Sequence, residues 1–92
     1  MTKILIKKKE EAADVWIFGV TIEGNEYTVT VPREYWKRLI QGKEEPESLV
    51  RRSFEFLLAR ESKESILREF ELPVIQKYFP EYESKITTSL HT

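Results

Sequence analysis

The sequence predicts an α+β domain: an N-terminal three-stranded antiparallel meander covered by two amphipathic helices, with short helices at the C-terminal end. Three observations carry this reading. From Lys3 to Val31, β-branched and aromatic residues are dense around a few turn signals. After Val31 the apolar period changes from two to about 3.6. Pro73 and Pro80 then divide the rest into short pieces. A chain of 92 residues has room for one hydrophobic core and little left for a second. One domain over 1–86 is expected, with a frayed tail over 87–92.

Strands are expected at about 3–8, 14–22 and 26–31. The clearest turn is Glu23-Gly24-Asn25-Glu26, where Gly24 and Asn25 tolerate the positive φ of a two-residue hairpin. Pairing Glu23 with Glu26 sets Ile22 opposite Tyr27, Val20 opposite Val29 and Phe18 opposite Val31, on one face with Trp16. The reverse face then carries Val15, Ile17, Gly19, Thr21, Thr28 and Thr30, a mixed surface open to water or to a partner. The charged stretch from Lys8 to Asp14 reads as a loose surface loop.

Pro32 suits the start of a first helix at about 33–41, whose pairs Tyr35-Trp36 and Leu39-Ile40 lie one turn apart, and Gly42 suits its end. A second helix is expected at about 46–61. Leu49, Val50, Phe54, Leu57 and Leu58 form its stripe, with Phe56 at the edge. That apolar arc of roughly 200° exceeds the ~100° one buried face requires. Its second side must be covered, either by this chain or by a second copy. Ser62 suits the cap of a third, short helix bearing Ile66, Leu67 and Phe70. Another short helix is expected from Pro73 with Val74, Ile75 and Tyr78, and a last turn around 81–86 with Tyr82 and Ile86 on one side.

Composition excludes several chemistries. With no cysteine there is no disulfide, thiolate metal site or thiol nucleophile. The single histidine, His91, sits one residue from the end of the sequence, a poor place for a preorganised base. No acidic loop with calcium spacing, no glycine-rich phosphate loop and no nucleophile elbow occurs. Carboxylate pairs such as Glu44-Glu45 and Glu81-Glu83 read as solvated surface. No cofactor or metal is expected, and the protein is read as not an enzyme. Fifteen basic and 16 acidic residues give a net charge of −1, no general field for nucleic acid or anionic lipid. The only apolar run near Met1 is Ile4-Leu5-Ile6, far short of a signal-peptide core or a membrane span, so a cytoplasmic setting is expected.

The second half, from Ser53-Phe54-Glu55-Phe56-Leu57-Leu58 through Lys63-Glu64-Ser65-Ile66-Leu67 to Tyr78-Phe79-Pro80-Glu81-Tyr82-Glu83, resembles small uncharacterised prokaryotic proteins of about this length. That resemblance implies no activity or ligand. Residues Tyr27 to Glu61, a strand, a proline and two amphipathic helices, resemble a ribbon-helix-helix module, as found in dimeric repressors and antitoxins. The resemblance implies DNA contacts at Thr28, Thr30, Arg51 and Arg52. Against it, Glu44, Glu45 and Glu47 stand where such modules hold phosphate.

Elimination of chemistry leaves a non-enzymatic protein-interaction or regulatory module as the expected function, with a homodimer as one way to use the wide arc of the second helix. The expected partner surface is Tyr78, Phe79, Tyr82 and Phe56, because aromatics are favoured contact residues, together with Ile17 on the reverse face of the sheet, which could mediate self-association. The purely structural role of the same C-terminal aromatics is a clasp over the core.

Overall fold

The computed structural model describes residues 3–89, so His91 lies outside the described residues. The order is β1 (Ile4–Glu11), β2 (Val15–Ile22), β3 (Asn25–Pro32), α1 (Arg33–Ile40), α2 (Pro46–Leu58), a 3-10 turn (Lys63–Ser65), β4 (Glu69–Glu71), α3 (Val74–Tyr78) and α4 (Tyr82–Ser89). The four strands form one sheet in the order β1-β2-β3-β4, antiparallel except for the parallel β3–β4 pair. The α+β class holds, with the meander at its N-terminal end and helices over one face.

That face is set by period-two alternation. Trp16, Phe18, Val20 and Ile22 on β2, with Tyr27, Val29 and Val31 on β3, are all buried. Tyr35, Leu39 and Ile40 of α1 and Leu49, Val50, Phe54 and Leu57 of α2 close over them. Phe54 is fully buried, with its ring 5.3 Å from Tyr27 and 6.0 Å from Phe70. The second side of α2 is covered by this chain. Phe56 is buried against Tyr82 at 5.2 Å and Phe79 at 5.8 Å, both edge-on.

Four local expectations are corrected. The hairpin turns on Glu23-Gly24, with φ of 48° and 88°, so Val20 faces Tyr27, Phe18 faces Val29 and Trp16 faces Val31. Glycine takes the second central position of this turn, where φ is largest, and the two-residue shift leaves every side chain on its expected face. β1 runs to Glu11, with a bulge at Lys9, instead of dissolving into a loop after Lys8. Arg33 secures that end by donating from Nε to the Ala12 carbonyl at 3.0 Å and from Nη2 to Glu11 at 3.0 Å.

The expected third helix is a strand. Ser62 precedes only a 3-10 turn, and Glu69–Glu71 lies parallel to Thr28–Thr30. The Thr28 amide donates to the Arg68 carbonyl at 2.7 Å, and the Leu72 amide to the Thr30 carbonyl at 2.9 Å. β3 would otherwise carry an edge of unmatched backbone groups, and Glu-Phe-Glu puts one aromatic inward while its acids stay in water. Finally, the last turn is a helix reaching Ser89, beyond the expected limit at 86. Thr87 Oγ1 bonds the Glu83 carbonyl within it at 2.9 Å.

A candidate interaction groove

Departure from α2 and return to the sheet leave a gap in the C-terminal half. Leu57 at the end of α2, Ile66, Leu67 and Phe70 around β4, and Val74, Ile75, Tyr78 and Phe79 from α3 line a mostly apolar groove of about 200 Å³, with Glu61 and Ser65 also on its wall. Ile66, Phe70 and Ile75 form its buried floor. Leu67 is 51% exposed and Tyr78 68% exposed at its mouth. Beside it runs the outer edge of β4, where the alternation turns the backbone groups of Glu69 and Glu71 away from β3.

The expected partner surface is only partly assembled. Tyr78 is exposed and Phe79 half-buried, both on the groove. Tyr82 and Phe56 are buried and present no surface: they belong to the clasp. Tyr82 bonds Ser53 through its hydroxyl, and Phe56 lies beneath the Arg60 guanidinium, 3.7 Å from its ring centre. Ile17 lies on the opposite face of the sheet, half-buried. Leu67 and Phe70 were missed as groove residues because Ile66-Leu67 and Phe70 fit a helical spacing. The Glu69-Phe70-Glu71 alternation was the available signal for a strand.

The expected DNA contacts do not converge. Thr28 and Thr30 point to the open face of the sheet, with Glu69 and Glu71 beside them on β4. Arg51 and Arg52 belong to α2, on the covered face. Arg51 donates to the Ile4 carbonyl at 3.0 Å, and Arg52 grips Glu44 with two hydrogen bonds, of 3.1 and 2.8 Å. β3 also has a neighbour on both edges, so it has no free edge for the intermolecular strand pair of a ribbon-helix-helix dimer.

A second, polar cleft lies between Trp16 and Trp36 and the turn from Gly42 to Glu47. Its groups answer one another. The Trp rings meet edge-on at 5.4 Å, Trp36 Nε1 donates to the Glu44 carbonyl at 3.0 Å, and Glu11 pairs with Lys8 at 3.1 Å and Arg33 at 3.0 Å. Hydrogen bonds from Lys8 and then Arg33 hold the Glu11 carboxyl below the usual range. Burial raises the phenols of Tyr35 and Tyr82 and keeps them protonated. Among the described residues there is no cluster of three metal-donating side chains, and no helix is long and apolar enough to cross a membrane.

Compared with family models, curated proteins and solved structures, the chain matches none.

Proposed function

We infer that this protein is a non-enzymatic interaction module of the cytoplasm that captures an extended apolar segment of another protein in the groove beside β4. The observation that carries this reading is the pairing of an apolar groove with exposed Leu67 and Tyr78 at its mouth. Large apolar side chains in water beside a concave apolar floor are costly unless something covers them. The adjoining strand edge supplies main-chain donors and acceptors, so an added strand would gain hydrogen bonds while one of its side chains fills the groove.

The test is selection from a random peptide display library, followed by backbone NMR titration of the selected peptides. Selected sequences should share an aliphatic or aromatic residue within an extended stretch and should shift the resonances of Leu67, Phe70 and Tyr78. Leu67→Glu should abolish those shifts while leaving the remaining spectrum in place. Peptides that bind elsewhere, or whose binding ignores Leu67→Glu, would remove this reading.

A further inference from the structure

Glu69 and Glu71 turn their backbone groups outward from the sheet, because the Arg68 carbonyl and the Leu72 amide on either side of them are the groups bonded to β3. Their side chains stand in water on the uncovered face, in the rows of Thr28 and Thr30. Neither carboxylate has an ion pair among the described residues. Phe70, between them, faces the other way, onto the floor of the groove. Glu61 is the one charged side chain on the groove wall among the described residues, and it too has no ion pair there. The cations of this stretch are placed elsewhere. Lys63 pairs with Glu23 at 3.0 Å and Glu64 at 3.3 Å, Arg68 lies 5.5 Å from the ring centre of Tyr27 and reaches back to the Glu26 carbonyl at 3.5 Å, and Lys77 stands on α3 off the groove wall.

Given the function inferred for the groove, on which this inference rests, we propose that its ligand is a basic extended segment in which one aliphatic or aromatic residue is flanked on both sides by lysine or arginine. A strand bonded to the outer edge of β4 sets one residue beside Phe70, with its side chain in the groove. The residues before and after it then stand beside Glu69 and Glu71, with their side chains on the open face. This alternation is the same for a parallel and an antiparallel strand, so the recognised pattern is independent of chain direction. Lysine or arginine at the two flanking positions meets a carboxylate that has no ion pair of its own, whereas aspartate or glutamate there would set like charges side by side. The same acids oppose self-association at this edge. Two copies joined through β4 by a two-fold axis would bring these glutamates against one another on the open face.

Peptide-display selection on the wild-type chain and on two double variants, Glu69→Lys with Glu71→Lys and Glu69→Gln with Glu71→Gln, tests it. Both side chains are exposed, so the variants should keep the wild-type circular dichroism. Wild-type protein should enrich segments with lysine or arginine on both sides of an apolar residue. The lysine variant should enrich aspartate or glutamate at the same two positions, and the glutamine variant neither charge. A peptide selected on wild-type protein and resynthesised with glutamate at both flanking positions should bind it about tenfold more weakly, with the difference shrinking as salt is added. Peptides that shift the resonances of Leu67, Phe70 and Tyr78 yet lack basic flanks, or a basic preference that both double variants leave unchanged, would overturn this inference and leave the groove reading in place. If no peptide reached the groove, or if wild-type protein alone showed concentration-dependent shifts at Leu67 and Tyr78 that mark a second copy as the occupant, both would fall.

Discussion

Tyr82 donates its hydroxyl hydrogen to Ser53 in the fully buried seam between α2 and α4. The direction follows from Ser53 itself, whose single hydroxyl hydrogen is committed to the Leu49 carbonyl at 2.7 Å. Ser53→Ala thus strands a buried phenol donor and should cost about 1–3 kcal/mol, whereas Tyr82→Phe removes the donor and should cost about 1 kcal/mol. The double variant should be more stable than Ser53→Ala alone. Urea unfolding of the three variants checks the order; a strictly additive double variant would refute the assignment.

Phe54 joins the sheet, α2 and the returning strand β4 through its contacts with Tyr27 and Phe70. Phe54→Ala should cost about 3–5 kcal/mol, a large share of the 5–15 kcal/mol typical of small domains. An almost unmoved thermal midpoint would contradict this packing.

The hairpin turn separates glycine's two uses. Gly24 has φ of 88°, so Gly24→Ala should destabilise by about 1 kcal/mol or more. Gly19 has no such φ, and a Cβ there would stand 2.6 Å from Lys9 Cε, the far end of a flexible chain that can swing away. Gly19→Ala should be neutral or stabilising by up to about 1 kcal/mol. Glu23 occupies φ of 48° in the same turn, and Glu23→Asn should stabilise by a few tenths of a kcal/mol, since asparagine tolerates that region. The pair it would lose, Glu23–Lys63 at 3.0 Å, is exposed enough to contribute little. Thermal midpoints of the three variants test these signs.

Acid should weaken the fold through surface carboxylates. Glu11 is held below the usual range by Lys8 and Arg33, Glu64 by its own amide and then Lys63, and Glu81 by its own amide and then Arg60. Each depressed group contributes fully above the unfolded value of about 4.3, and the contribution disappears as pH falls through the lower folded values. The thermal midpoint should therefore be flat near neutrality and fall below about pH 4, with a smaller drop in high salt because these groups are exposed. A midpoint unchanged down to about pH 3 would contradict these pairings.

The sequence by itself determined what local physics controls. Alternation along Trp16–Ile22 and Tyr27–Val31 chose the buried face, and it survived a two-residue error in hairpin register because side chains alternate with period two. The helical stripes of α1 and α2 likewise placed Tyr35, Leu39, Phe54 and Leu57 in the core. Tertiary structure decided the rest. Ile66 to Phe70 has apolar spacing compatible with a helix, and only the unmatched edge of β3, more than thirty residues earlier in the chain, makes it a strand. That strand in turn creates the groove and brings Glu69 onto the level of Lys7 and Glu71 onto that of Glu10, far away in sequence. The aromatics of Tyr78-Phe79 and Tyr82 look alike as sequence, yet Tyr82 is sealed against Ser53 while Tyr78 stands in water. Which aromatic is clasp and which is surface depends on how α3 and α4 meet α2, a long-range packing choice that no local pattern encodes.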